Sequence, residues 1–235
     1  MAKQKIAVIV LAAGKGTRMK SAMPKVLHPL AGKPMVRHVL DAIAPLNPSK
    51  TVAVVGPGMS DVITAVSPNP TVTQEKRLGT ANAVKVASSS VQAVGADTVL
   101  ILYGDTPLIR TETLSAMLQA RAEGAALVVL GFTPENPGAY GRLKLNADGS
   151  LEAIVEAQDA SEAERAIKLC NSGVMAVDGS CLFDLVDQVD NNNAKGEFYL
   201  TDIVALARAR EFECAVVKAP AAELMGVDSR SVLAE

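Results

Sequence analysis

Together with Thr71–Gln74, a short β-branched run that reads as a strand, three short stretches in the first half of the chain are almost unbroken in apolar residues: Ile6–Leu11, Thr51–Val55 and Thr98–Leu102. A strand covered on both faces reads this way, because neither of its alternating sides can be polar. Between them, Met35–Ala44, Asp61–Val66 and Ala81–Val91 carry the wider apolar spacing of helices. Strand and helix in alternation predict an α/β fold of the Rossmann-like, doubly wound type. Ligands in such a sheet sit beyond the carboxyl ends of its strands. Two segments fall there: the glycine-rich loop after Leu11, and Tyr103-Gly104-Asp105 after Leu102.

The second half is more mixed. A helix starts near Thr111, and Ala126–Phe132 is a strand. Arg142–Asn146 and Leu151–Val155 form a hairpin around Asp148-Gly149. Ser161–Ile167 reads as a short helix, Val174–Val177 as a strand and Cys181–Val189 as a helix. After the polar Asn191-Asn192-Asn193 comes a helix, Asp202–Arg210, capped by Thr201 or Asp202, and then the strand Glu213–Val217. No repeat, long linker or low-complexity tract divides the chain, which predicts one domain over residues 1–235.

The loop Leu11–Lys25, LAAGKGTRMKSAMPK, holds the first candidate chemistry. Gly14 and Gly16 let backbone N–H groups approach a ligand, and Arg18, Lys20 and Lys25 bring positive charge. That combination points to a polyphosphate. It is not the Walker A loop, because Met19 stands where the second glycine belongs. Nor is it the dinucleotide fingerprint, whose third glycine is again Met19. Taken alone, it also fits a strand-to-loop turn with ordinary surface charge. Asp105 closes a buried strand, where an unpaired carboxylate is costly. It points either to a cation or to a cap on the helix near Thr111.

Composition narrows the picture. The net charge of −2 argues against a general nucleic-acid binder, so the basic residues around Arg18 are a local feature. Apolar residues make up 49% of the chain but aromatics only 3%, so Val, Ala, Leu and Ile must fill the core. Cys170, Cys181 and Cys214 are odd in number and widely spaced, which fits reduced thiols, with Cys170 a small buried hydrophobe. MAKQKIAVIVLAAG imitates a short signal peptide but leads directly into the loop, so it reads as the first core strand. No apolar run reaches the roughly 20 residues of a membrane span. A cytoplasmic protein without membrane or nucleic-acid partners is expected. His28 and His38 are the two histidines, both read as structural, and no Ser-His-Asp or Cys-His pattern is present.

LAAGKGTRM with Pro24-Lys25 is followed in order by PKVLHPLAGKPMVRHVLDA, QEKRLGTANAV, LYGDTPLI, YGRL, IVEAQDA, NSGV, NNNAKGEFYLTDI and GVDSR. From Ile6 to about Arg230 this series resembles the uridyltransferase domain of bacterial N-acetylglucosamine-1-phosphate uridyltransferases. The resemblance implies a mixed sheet of the sugar nucleotidyltransferase type. It implies a nucleotide-binding half over about 1–110 and a sugar-binding half over about 111–235. The implied reaction is attack of N-acetylglucosamine 1-phosphate on the α-phosphorus of UTP, with Mg2+.

By the same resemblance Arg18 and Lys25 are the catalytic cations. The nucleotide is held by Leu11, Ala12, Ala13, Gly14, Lys25, Gln74, Gly79 and Thr80. A Gln side chain offers a donor and an acceptor, as the imide edge shared by uracil and thymine requires, so the base stops at UTP or dTTP. The sugar is held by Tyr103, Gly104, Asp105, Glu156, Asn171, Glu197, Tyr199 and Thr201, and the metal by Asp105 and Asp228. Asp228 replaces the family's Asn and adds a negative charge. Ala139 replaces a Gly before Tyr140 and is expected to tighten the sugar pocket, and Ala157-Gln158 removes a basic residue after Glu156. The family's usual protein continues into a β-helix acetyltransferase that holds a trimer. The sequence carries no hexapeptide repeats, so a monomer or small homo-oligomer is expected, either monofunctional or a fragment of a longer protein.

Overall fold

In the computed structural model, which describes residues 4–234, the first strand, β1 (Ile6–Leu11), is buried along its whole length. The outermost positions of the expected domain, Met1–Lys3 of the apparent leader among them, lie outside the described residues. Next come β2 (Pro29–Leu30), β3 (Lys33–Pro34), α1 (Met35–Ile43), β4 (Lys50–Val55), α2 (Ser60–Val66) and β5 (Thr71–Thr73). Then follow α3 (Thr80–Lys85), α4 (Ser88–Gln92), β6 (Thr98–Tyr103), α5 (Thr111–Ala122), β7 (Leu127–Phe132), β8 (Arg142–Leu145) and β9 (Leu151–Val155). The chain ends with α6 (Glu162–Arg165), β10 (Cys170–Asp178), α7 (Leu182–Val186), α8 (Ile203–Ala209), β11 (Cys214–Lys218), α9 (Ala221–Leu224) and α10 (Arg230–Ala234).

The sheet runs β11-β7-β10-β6-β1-β4-β5, and β8 and β9 extend it beside β10. β1 is parallel to β4 and β6, β4 to β5, and β7 to β11. β10 alone in the main series is reversed, pairing antiparallel with β6 and β7. Its register sets Met175 against Ile101 and Asp178 against Thr98, so its early residues, Asn171 among them, reach the carboxyl edge of β6.

Alternation along each strand fills two cores. Ala7, Ile9 and Leu11 of β1 face one layer with α3, α4, α7 and α8. Ile6, Val8 and Val10 face the other, with α1, α2 and α5. Each such buried aliphatic side chain contributes about 1.5–3 kcal/mol. The three cysteines are free, as their spacing suggested, and all three are buried, Cys170 as expected. His38 Nε2 lies 2.8 Å from the Leu30 carbonyl, tying α1 to the β2–β3 hairpin, a structural role. Among the described residues no helix is long and apolar enough to cross a membrane.

The expected mixed α/β architecture is the one observed, with local differences. The helix expected over Ala81–Val91 is two, because Ala87 N–H bonds Val84 three residues back and the serines after it are poor helix formers. β10 starts at Cys170 rather than Val174. Its polar residues are absorbed locally: Ser172 Oγ donates to the Leu130 carbonyl (2.7 Å) and Asn171 Oδ1 accepts from Gly173 N–H (2.8 Å). Neither Thr201 nor Asp202 caps α8 with its side chain, since Thr201 Oγ1 donates to Glu156 instead (3.1 Å). The β2–β3 hairpin, α9 and α10 were not anticipated.

Candidate active site

The carboxyl ends of β1, β5 and β6 enclose a cavity of about 250 Å³. It is lined by Leu11, Ala12, Ala13, Gly14, Lys25, Gln74, Gly79, Thr80, Tyr103, Asp105 and Glu197, all expected from sequence, and by Val26, Arg77 and Ala83. A larger hollow, about 430 Å³ around Arg121 and Asp178, holds none of the expected residues. The first cavity is the candidate site because it gathers the chemistry.

The loop's shape has local causes. Gly16 has φ +61, and a Cβ there would stand 2.5 Å from Lys25 Cβ, so only glycine lets Lys25 close on the loop. Met19 is fully buried and anchors the single turn Thr17–Met19, which is why a large apolar residue stands where the better-known motifs need glycine. Gly14 has nothing within 4 Å of its missing side chain and opens toward the cavity.

The two cations and two carboxylates singled out in the sequence meet pairwise. Lys25 Nζ bonds Asp105 Oδ2, with both side chains largely buried. Arg18 Nη1 bonds Asp228 Oδ2, with the Arg18 side chain 70% exposed. The pairs are neighbours, because Val227 N–H donates to the Asp105 carbonyl (2.9 Å) and Gly226 N–H to Tyr140 Oη (3.3 Å). Asp105 is therefore no helix cap; the residue before α5 is Arg110. Carboxylates such as Asp105 and Asp228, brought together in the fold by the Val227–Asp105 backbone bond, are the ligand type a hard divalent cation takes alongside waters and phosphate oxygens. Among the described residues no group of three or more His, Cys, Asp or Glu is placed to hold a metal ion.

Gln74 is buried, and its Nε2 donates to the Gly79 carbonyl (3.0 Å) and Asn82 Oδ1 (2.9 Å). A carbonyl can only accept, so this fixes which way the amide faces. Both donors are committed within the protein, and Oε1 is left as the edge a base can meet. Gly79 and Thr80 open α3 and carry the late segment: Phe198 N–H donates to the Leu78 carbonyl, Ala81 N–H to the Phe198 carbonyl, and Leu200 N–H to Thr80 Oγ1 (2.9 Å). Asn193 holds Glu197 from both sides of its backbone.

Around Tyr103 the site continues into the second half. Gly173 packs against the Tyr103 ring, and burial pushes the phenol well above its usual range, with Glu156 and Asp105 adding to the shift. Gly104 packs against Val26. Burial also raises the Glu156 carboxyl, while the Thr201 hydroxyl and Lys195 pull it back. The Tyr199 hydroxyl is buried near the Lys195 backbone, and Lys195 Nζ stands 5.8 Å from its ring centre. Asn171 N–H donates to the Gly141 carbonyl (2.8 Å). Ala139 does not crowd Asn171: it is exposed, and the residue packed there is Gly141, because Arg142 folds the 137–140 loop back with bonds to three of its carbonyls.

Asp202, beside this group, is pushed up to about 6 by burial and by Asp190, Glu156 and Asp159. Its ionised form is the disfavoured one, so stability falls as pH rises from about 4 through about 6. Asp202→Asn should raise the melting midpoint at pH 8 by about 2 °C, with the gain vanishing by pH 4, since the group is half-exposed and partly screened. An equal gain at both pH values in thermal scans would contradict this.

Sequence reasoning missed Arg77, Gly56, Tyr140 and Gly141. Tyr140 and Gly141 belong to the YGRL string, which was noticed as a motif. Arg77 had no signal beyond its place before Leu78-Gly79-Thr80.

Residues 8–172 match the MobA-like NTP transferase domain family. The chain is also 60% identical over 232 residues to the bifunctional protein GlmU of Rhodospirillum rubrum, covering 98% of this chain and 52% of that protein. It is 56% identical over 236 residues to the same-named protein of Paramagnetospirillum magneticum, covering 100% and 52%. Against that of Ruegeria sp. the identity is 49% over 232 residues, covering 97% and 51%. The chain thus spans about half the length of these curated relatives. The resemblance read from the ordered motifs is borne out, and a glycine-rich loop, paired cations and carboxylates at a strand edge and the match over most of the fold lead to one conclusion: the chain belongs to the MobA-like NTP transferase domain family.

Proposed function

We propose that this chain transfers the uridylyl group of UTP to N-acetylglucosamine 1-phosphate, giving UDP-N-acetylglucosamine and pyrophosphate. The observation that carries the reading is the Lys25–Asp105 pair in the wall of a glycine-loop cavity, with the Arg18–Asp228 pair tied to it through the Val227–Asp105 backbone bond. Similarity to proteins named bifunctional GlmU supports the same reading over the half of their length that this chain spans.

A sugar phosphate is already an anionic nucleophile and needs no general base. One of its oxygens bonds the α-phosphorus, the bond from that phosphorus to the β-phosphate oxygen breaks, and pyrophosphate leaves with the electron pair. Catalysis is positioning and charge stabilisation. Arg18 and Lys25 turn from their carboxylates toward the triphosphate, where a guanidinium grips two oxygens at once. Asp105 and Asp228 would hold Mg2+, which when bound neutralises charge on the phosphates. The backbone of Leu11–Gly14 cradles the nucleotide, Gly79 and Thr80 help hold it, and Gln74 Oε1 accepts the N3–H of uracil. Cytosine has no such hydrogen. Tyr103, Gly104, Glu156, Asn171, Glu197, Tyr199 and Thr201 surround the sugar.

Pyrophosphate release over a grid of UTP, dTTP and CTP against several sugar 1-phosphates tests this. The expected maximum is UTP with N-acetylglucosamine 1-phosphate; no turnover with any pair, alongside UDP-sugar binding, would make the chain a nucleotide-sugar sensor instead. Asp228→Asn should raise the Mg2+ concentration needed for half-maximal turnover several-fold, because site affinity follows ligand charge. An unchanged magnesium dependence would argue against Asp228 as a ligand.

A further inference from the structure

Arg77 lies between β5 and α3, half-buried in the wall of the nucleotide cavity. Its Nε donates to the Ala13 carbonyl at 2.6 Å. Lys25 and Arg18 each face a carboxylate, but among the described residues none pairs with Arg77. Room for the guanidinium comes from Gly56, just past β4, where a Cβ would overlap the Arg77 side chain.

The bond fixes more than one atom. In a trans peptide the C=O and the following N–H point in opposite directions. Pinning the Ala13 carbonyl on Arg77 therefore fixes the direction of the Gly14 N–H. That peptide needs pinning, since Gly14 has no side chain to limit rotation and nothing packs within 4 Å of where one would be. An unpinned peptide would flip and present a carbonyl oxygen to an incoming polyanion.

We propose that Arg77 is a positioning residue for the nucleotide: it locks the Ala13–Gly14 peptide in the orientation that offers an N–H to the triphosphate. This rests on the reading of the cavity as a nucleotide site. The test is UTP binding by titration calorimetry, alongside steady-state kinetics and thermal scans of the free proteins. A hydrogen bond from a charged donor is worth enough that Arg77→Ala should weaken UTP binding about tenfold. The KM for the sugar 1-phosphate should stay within about twofold and the melting midpoint should barely move. Arg77→Lys, which keeps a cationic donor, should recover part of the loss. A Cβ at Gly56 would overlap the movable end of Arg77 while standing at ordinary contact distance, 3.4 Å, from the Ala13 carbonyl oxygen, so Gly56→Ala should displace the guanidinium and reproduce the loss with Arg77 still present. UTP binding by Arg77→Ala within about twofold of the parent, or an equal loss for UTP and sugar phosphate, would overturn the proposal and leave the functional reading standing. Failure of the parent chain to bind UTP would sink both.

Discussion

Lys25→Ala should lower turnover with UTP and N-acetylglucosamine 1-phosphate by about 10²–10³-fold, the scale on which one preorganised donor to developing negative charge acts in an oxyanion hole. Lys25 is the better buried of the two cations, so its charge acts through less solvent than that of Arg18. The loss should fall mainly on kcat, because charge shifts onto the leaving pyrophosphate as the bond breaks and the cation's attraction grows with it. Asp105→Ala should also be severe, and the double variant should be far less impaired than the product of the two, since groups that act on the same triphosphate as one unit lose their effects non-additively. Turnover of Lys25→Ala within about tenfold of the parent would remove Lys25 from the chemistry. Strict additivity in the cycle would mean that the Lys25–Asp105 pair is incidental.

Gly79→Ala should be the most destabilising small substitution at the site. Its φ of +120 and ψ of 178 place Gly79 in a region essentially closed to other residues, which alone costs about 1–3 kcal/mol. A methyl there would also run into the backbone of Phe198, which is held on both sides by hydrogen bonds to Leu78 and Ala81 and cannot swing away like a flexible side chain. Together these predict a loss of about 3 kcal/mol or more, or roughly 6–12 °C in melting midpoint for a chain of this size. The damage would reach both substrates, because the contact that breaks joins the start of α3 to the segment carrying Glu197, Tyr199 and Thr201. Thermal scans and the two KM values check this. A melting midpoint within about 2 °C of the parent would show that the segment is not docked on Gly79.

The difference between these two residues explains what the sequence could reveal. Strands such as β1 and β6 were legible because burial on both faces forces an unbroken apolar run. The first half of β10 was not: Asn171 satisfies its side chain on Gly173 and Ser172 on the Leu130 carbonyl of β7, so a run this polar looks like a loop. The break between α3 and α4 turns on one i−3 hydrogen bond and a row of serines, a balance that apolar spacing does not report. In the site, residues anchored to motifs were placed from their strings. The pairing of Arg18 with Asp228 joins residues 210 apart, and it follows from Val227 docking on the backbone of Asp105. No local pattern encodes that contact. Arg77 looks like any surface cation until Gly56, from another strand end, is seen to make room for it. Gln74 shows the opposite limit: its residue type predicted base reading, but only the structure shows that its amide hydrogens are already engaged and that its oxygen is what remains.

The reading stands or falls on which bond is broken in the nucleotide. The decisive measurement is phosphorus NMR of the chain mixed with UTP, N-acetylglucosamine 1-phosphate and Mg2+. Attack at the α-phosphorus predicts equal growth of UDP-N-acetylglucosamine and pyrophosphate signals, with no orthophosphate. Orthophosphate and UDP appearing instead, or an unchanged spectrum under conditions where both substrates bind, would contradict it.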